Sequence, residues 1–285
     1  MRFDSNQAWT EAVASVSAHR AVLWPVAGVF FLLPGLIWVW FFSGTQAELM
    51  AGMRNPATAS AAMAGMFGKV MPYLLLLMLI QSVGNLSLLG LLTDRTRPTV
   101  GQAIGSAVRN LPSLIGAGVL IFIVYMVIGL VVALVIGLIV ALTKVTAIAI
   151  VFVGIGLVAI FWALTRLSVL LPVIVIDKVS NPITAITRAW GLTKGSAASL
   201  FLFYLLLLVA YAVIAAVVQL ALGALMGITM MGAGDAAKSG GSLIAMGLVG
   251  GVIGAVVAVL LNAILAAVHR QLAGPSADAY NDTFA

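Results

Sequence analysis

Trp162-Ala-Leu-Thr-Arg166-Leu-Ser-Val-Leu-Leu-Pro172-Val-Ile-Val-Ile-Asp177-Lys178 is followed, after Val-Ser, by Asn181-Pro182-Ile-Thr-Ala-Ile-Thr-Arg188-Ala-Trp190-Gly-Leu-Thr-Lys194-Gly195. An apolar run that begins near residue 147 reaches Arg166 after about 19 residues, close to the roughly 20 that a helix needs to cross a hydrocarbon layer. The arginine therefore falls at the end of a crossing, at the cytoplasmic interface. The apolar run continues to Ile176, and Pro172 is expected to bend this extension away from the membrane normal. Asn181 then supplies an N-cap and Pro182 the first helical position, a specific helix-start pattern. The stretch thus reads as a span, a bend and a short amphipathic helix, which is the grammar of an all-α membrane protein.

The whole composition agrees. Apolar residues make up 63% of the 285 residues and charged residues 8%, against about half and about a quarter in soluble domains. Unbroken apolar runs exclude the alternating pattern of an outer-membrane barrel. The net charge of +6 reads as basic residues held beside anionic lipid, not as a nucleic-acid surface. With no cysteine, disulfides, thiolate metal sites, thiol catalysis and cysteine lipidation are all excluded. The first apolar run is too long for a signal-peptide core.

Six spans follow, at about 21–42, 70–92, 114–142, 147–176, 197–224 and 243–268, in one membrane domain over 1–272 with a polar cytoplasmic tail at 273–285. Three amphipathic helices are expected at the surface, over about 5–20, 99–110 and 182–194, each ahead of an odd-numbered span. Asp4 or Ser5 can cap the first, and Gly195 can end the third. Residues 43–69 and 225–242 read as polar, Met- and Gly-rich loops, and Thr143 to Thr146 as a tight turn. Pro25 and Pro34 predict a kink in the first span. Gly247/Gly251 and Gly250/Gly254 are small-xxx-small pairs that permit close helix contact.

Sorting Lys and Arg by loop gives ten on one side (Arg2, Arg20, Arg95, Arg97, Arg109, Arg166, Lys178, Arg188, Lys194, Arg270) and four on the other (Arg54, Lys69, Lys144, Lys238). The bias puts both termini in the cytoplasm, which suits a multi-pass protein of the bacterial inner membrane. The amphipathic helices share an Ala-apolar-x-x-Ala-apolar pattern: Ala8-Trp9 with Ala12-Val13, Ala103-Ile104 with Ala107-Val108, Ala185-Ile186 with Ala189-Trp190. A threefold repeat of surface helix plus hairpin would explain three copies at equivalent places.

No catalytic constellation is present, and no metal site or cofactor is expected. All eight acids lie outside the spans or at their ends. His19 and His269 sit at span boundaries beside arginines and read as interfacial polar residues. Arg166, Arg188 and Lys194 are candidates for lipid or anion contact, since a guanidinium fork suits phosphate oxygens. The alternative for Arg166 is snorkelling to the interface, or an ion pair with Asp177 or Asp94. Trp190 reads as an interfacial anchor and Asp177 as a structural pair. Gln81, Asn85, Gln219 and Asn262 are amides within spans and should face the bundle interior.

The run Thr165-Arg166-Leu-Ser-Val-Leu-Leu-Pro172-Val-Ile-Val-Ile-Asp177, with Ala185-Ile-Thr-Arg-Ala-Trp190-Gly-Leu-Thr193-Lys194-Gly195, resembles the signature of YciC-type bacterial inner-membrane proteins. It is similar too to the membrane domain attached to some glycerophosphodiester phosphodiesterases. The close match covers about 30 residues, and His269-Arg270-Gln271-Leu272 extends it loosely. Ala189 departs from the serine often found before that tryptophan. In those phosphodiesterases the chemistry belongs to a metal-dependent barrel that this chain lacks, so the resemblance implies a membrane domain and no phosphodiesterase activity.

The sequence therefore leads to a non-enzymatic six-span protein with a lipid- or partner-binding structural role. The alternative is a transporter or channel for a lipid or small amphiphile. Its partners would be membrane lipids, anionic at the cytoplasmic face, with no nucleic acid; a second copy or another membrane protein stays open.

Overall fold

A computed structural model describes residues 3–54, 56–93, 98–145, 147–233 and 240–274. Among these residues the chain is helical, without strands. The elements are α1 (Ser5–Ala27), a π-helical turn (Gly28–Leu32), α2 (Leu33–Met53), α3 (Pro56–Thr93), α4 (Val100–Thr143), α5 (Ala147–Arg166), α6 (Leu170–Val175), α7 (Pro182–Leu192), α8 (Ala197–Ala233) and α9 (Gly240–Ala273). Six segments are long and apolar enough to cross a membrane, in the six places the sequence indicated. The protein is a multi-pass, all-α membrane protein.

Several boundaries differ from expectation. Residues 43–53 and 56–69 are helical extensions of α2 and α3 and not a loop, because Ala, Met, Leu and Glu are strong helix formers and Asn55-Pro56 is the one strong breaker between them. The 225–242 stretch is likewise helical to Ala233 and again from Gly240. The first two surface helices are not separate elements. Residues 5–20 run straight on within α1, and 99–110 within α4, which carries Pro112 inside it. Only α7 is a separate short helix. The turn between α4 and α5 turns on Lys144, which has φ 58°. Asp94, Arg95, Arg97, Lys238, Arg2 and the tail from 275 onward lie outside the described residues.

The three copies of the alanine motif begin in the same register. Asp4, Thr99 and Asn181 each stand four residues before the first alanine, and the amide of that alanine donates to the cap residue's carbonyl: Ala8 to Asp4 (3.0 Å), Ala103 to Thr99 (2.9 Å), Ala185 to Asn181 (2.9 Å). Each cap side chain also accepts amides of the first turn. Asp4 Oδ1 takes Asn6 and Gln7, Asn181 Oδ1 takes Ile183 and Thr184, and Thr99 forms a reciprocal box with Gln102. All six alanines (Ala8, Ala12, Ala103, Ala107, Ala185, Ala189) are buried. The apolar residues beside them point elsewhere: Trp9, Val13, Val108 and Trp190 are exposed.

The chain divides into two compact units. One comprises residues 13–107 and 208–263. Here the first span meets α9 over glycine. A Cβ on Gly251 would lie 3.0 Å from the Leu32 carbonyl oxygen and 3.2 Å from Leu32 Cα, one on Gly247 would lie 2.9 Å from Leu36 Cδ2, and one on Gly35 would lie 3.4 Å from Gly251 Cα. Gly250 and Gly254 meet nothing within 4 Å, so of the two expected pairs only Gly247/Gly251 is used. Pro34 has no amide to give the preceding turn, and the chain widens there into the π-helical turn, with Leu33 donating to Gly28. The Tyr73 hydroxyl donates to the Pro34 carbonyl (2.8 Å), and its ring stacks on Trp38 and Phe41. Glu48 and Lys69 pair across α2 and α3, beside an open cavity of about 230 Å3 lined by Thr45, Leu49, Ala62, Gly65 and Met66.

The other unit comprises residues 3–12, 108–207 and 264–274. Its buried residues include Phe3, Ala117, Val169, Leu170, Val173, Ile174, Leu200, Phe203, Ile264 and Val268. Pro182 packs into the space over Gly116, where a Cβ would lie 2.9 Å from Pro182 Cγ. The most apolar stretch of α4 has none of its residues buried. In water such a face would be untenable; acyl chains cover it at no cost.

The glycine contact predicts a sharp positional difference. Gly251→Leu should lower the thermal stability of the purified protein by about 1–3 kcal/mol, the usual cost of overpacking. Gly254→Leu, three residues on and facing open space, should leave it unchanged or raise it, since leucine is the better helix former. Detergent-solubilised melts of the two variants read the difference directly.

Candidate functional site

Arg166 is the last residue of α5 and is 5% exposed. Its Nη2 donates to the Trp190 carbonyl at 3.0 Å. The guanidinium carbon lies 4.6 Å from the Trp190 ring centroid and 5.5 Å from that of Trp162, and the two rings meet edge to face at 6.4 Å. In return, the Thr193 hydroxyl lies within hydrogen-bonding reach of the Arg166 carbonyl (3.0 Å), as well as the carbonyls of Ala189 and Trp190. Helix ends leave their last carbonyls without intrahelical partners and carry partial negative charge. Here the C-termini of α5 and α7 come together, and each is capped by a side chain of the other's ending. The one cation between them is Arg166.

Arg166 is therefore neither snorkelling nor paired with Asp177; Asp94 lies outside the described residues. Asp177 is engaged by others. Arg188 Nε donates to its Oδ2 at 2.6 Å, and His269 Nε2 lies 3.4 Å from the same oxygen. His269 is almost wholly buried, so it is a packed partner of Asp177 and not an exposed interfacial residue. Next to it, Arg270 reaches Glu11 (3.6 Å), and Gln271 Oε1 accepts the Asp4 amide (3.1 Å). The end of α9 is thus tied both to the α6–α7 turn and to the cap of α1.

The break between α5 and α6 precedes Pro172. It falls at Leu167 to Val169, where Leu167 and Ser168 make short-range turn bonds, and Pro172 sits in the first turn of α6, where its missing amide costs nothing. The α6 ending has Val179 N–H directed at the Val173 carbonyl (3.5 Å) across Lys178, whose φ is 54°. Lys178 thus holds a left-handed conformation of the kind usually given to glycine or asparagine. Gly195 does not end α7: its φ is not positive, and Thr193 does the capping. Ser168 Oγ, Arg166 Nε and Tyr204 Oη are buried without a completed hydrogen bond.

On α7 the buried face is Ala185 and Ala189, both 0% exposed, whereas Ile183 is 62% and Trp190 41% exposed. At about 100° per residue, Ile183 and Trp190 share a face about 130° round the helix from the alanines. Ile183 and Trp190 point outward, and Ile186 is half-buried. Lys178 before α7, Arg188 on it and Lys194 after it are exposed.

The four span amides do not form one group. Asn262 Nδ2 donates to Asn85 Oδ1 at 2.7 Å and to the Ala258 carbonyl at 2.8 Å, joining α9 to α3; Asn262 Oδ1 is buried without a partner. Gln81 is half-buried, and Gln219 is exposed on α8, contrary to its expected inward position. At helical spacing a lone amide marks a face only where a neighbour packs against it, and α8 is mostly exposed there. Among the described residues no three of His, Asp and Glu gather closely enough to hold a metal ion.

The His269–Asp177 contact joins residues 92 apart and has no local sequence signal. The reciprocal capping had one, the arginine ending an apolar run and the threonine following Trp-Gly-Leu. Compared with protein-family models, characterised proteins and solved structures, the chain finds no match.

Replacing Arg166 by Gln should cost about 1.5–3 kcal/mol, the worth of a hydrogen bond to a charged donor. Arg166→Lys should recover less than half, because an ammonium neither stacks on Trp190 nor presents a planar fork. Unfolding followed by tryptophan emission would check both. Equal stability of Arg166→Gln and the parent would refute the capping role.

Proposed function

We propose that this is a non-enzymatic protein of the bacterial inner membrane, of the YciC type, with a lipid- or partner-binding structural role and both termini in the cytoplasm. The observation that carries it is the use of the polar groups within the spans. Asn85 and Asn262 bond to each other, Arg166 Nη2 caps α7, and the Thr193 hydroxyl caps α5. Groups that line a substrate path present free donors and acceptors to it; these hold helices together. The ten-to-four distribution of basic residues supports the orientation. The 162–195 signature supports the family.

The rival reading is a transporter or channel for a lipid or small amphiphile. Asn262 Oδ1, buried without a partner, favours it, since an unmet acceptor inside a span is costly unless something visits it. The two readings part on one experiment. Protein reconstituted in liposomes should give the same scrambling of a labelled phospholipid as protein-free vesicles. Asn85→Leu with Asn262→Leu should fold and stay monodisperse, because replacing both partners of a buried pair by apolar groups is tolerated. Scrambling by the parent, lost in that double variant, would establish the transport reading instead.

Orientation is testable cleanly because the chain has no cysteine. In right-side-out cells, a membrane-impermeant maleimide should label Lys69→Cys and Lys144→Cys and spare Lys194→Cys. The reverse pattern would invert the topology.

A further inference from the structure

We propose that α7 and the turns at its two ends form a docking surface for the headgroup of an anionic phospholipid. The inference rests on the structural, lipid-facing reading above and names its ligand class.

Three observations carry it. First, α7 is held to the protein by its small face, Ala185 and Ala189, leaving Ile183 and Trp190 on a different face. An isoleucine 62% exposed and a tryptophan 41% exposed, at the end of a membrane crossing, belong against acyl chains and headgroups, where indole is the favoured interfacial ring. Second, the rim of this face is cationic. Lys178 precedes α7 and Lys194 follows it; both are exposed, and neither pairs with a carboxylate among the described residues. Arg188, bonded to Asp177, lies on another side of α7 and takes no part. Charge complementarity therefore selects an anion. The apolar residues between the cations select one that carries a hydrocarbon tail, which a free phosphate lacks.

Third, Lys178 occupies its place against backbone preference. Its φ of 54° lies in the left-handed region, where glycine or asparagine sits with less strain. A purely structural helix ending would be served better by either. The lysine at this point adds what they lack, a positive charge at the foot of α7. Arg166 belongs to this surface as a positioning residue. It bonds the Trp190 carbonyl and stacks beneath the Trp190 ring, so it sets the ring's orientation while remaining too buried to touch a headgroup.

The test uses the full-length protein in nanodiscs of phosphatidylglycerol and phosphatidylethanolamine in equal amounts, released gently for native mass spectrometry. The parent should retain phosphatidylglycerol in preference to phosphatidylethanolamine. Lys178→Asn with Lys194→Gln should weaken that retention about thirtyfold, at about fivefold per cation near an anionic headgroup. Lys178→Asn alone should weaken it about fivefold while melting no lower than the parent, because asparagine relieves the backbone strain. Loss of lipid without loss of stability is the result that a merely structural lysine cannot give. Equal retention of the two lipids by the parent, or phosphatidylglycerol retention untouched by the double variant, would overturn the proposal. So would loss of a co-purifying protein, and not of lipid, in that variant. None of these would disturb the structural reading, which fails separately if the parent scrambles lipid in liposomes.

Discussion

Where α5 and α7 end, two sets of unpaired carbonyls and two negative helix termini meet in a place that is almost closed to solvent. Like partial charges brought together out of water repel, and carbonyls left unbonded there cost about 1–3 kcal/mol each. One guanidinium resolves both difficulties. Arg166 places its full charge between the termini, gives a hydrogen bond to Trp190 and lies against the indole faces. Thr193 returns a hydroxyl to the Arg166 carbonyl. The turn from span to surface helix depends on this exchange, and with it the direction in which α7 shows its tryptophan.

A second constraint acts through size. Helices in a bilayer gain little from burying apolar side chains against each other, since lipid is equally apolar; close backbone approach and hydrogen bonds must do more. The chain meets that demand with its smallest residues. Gly251 lets the Leu32 backbone come within van der Waals contact, and the six alanines of the repeated motif are all buried. In each copy a capping residue four positions earlier fixes where the helix starts, so cap and alanines act as one unit: the cap sets the rotation, the alanines set the face. This is a physical reason for the motif to recur with different neighbours. Trp9, Ile104 and Ile186 need no common identity, because they are not what is packed.

This also marks what could be read from the sequence. Spans were legible because their signal is composition over twenty residues, and the start of α7 because Asn181-Pro182 is local chemistry. The alanine register was legible as a pattern, though not its burial: periodicity gives a face, not the neighbour that covers it. So the pattern alone did not show that Ala185 and Ala189 hold α7 to the protein. Glycine and polar content at 43–69 and 225–242 suggests loops, but alanine, methionine and leucine keep much of both stretches helical. Partner choice was the least legible. Asp177 has three basic residues near it in sequence, Arg166, Lys178 and Arg188, and it pairs with Arg188 together with His269, a residue 92 positions away. Contacts of that separation depend on the fold already being in place.

The pairing of Asp177 has a consequence for Arg166. A carboxylate beside the guanidinium would have neutralised the charge that the two helix ends require, and would have competed with Trp190 for its protons. With Asp177 engaged by Arg188 and His269, Arg166 pairs with no carboxylate among the described residues, and its partner is the Trp190 carbonyl. Acids are few throughout this chain, eight in 285 residues, as its apolar spans require. The same arrangement leaves the remaining cations of this end, Lys178 and Lys194, facing outward.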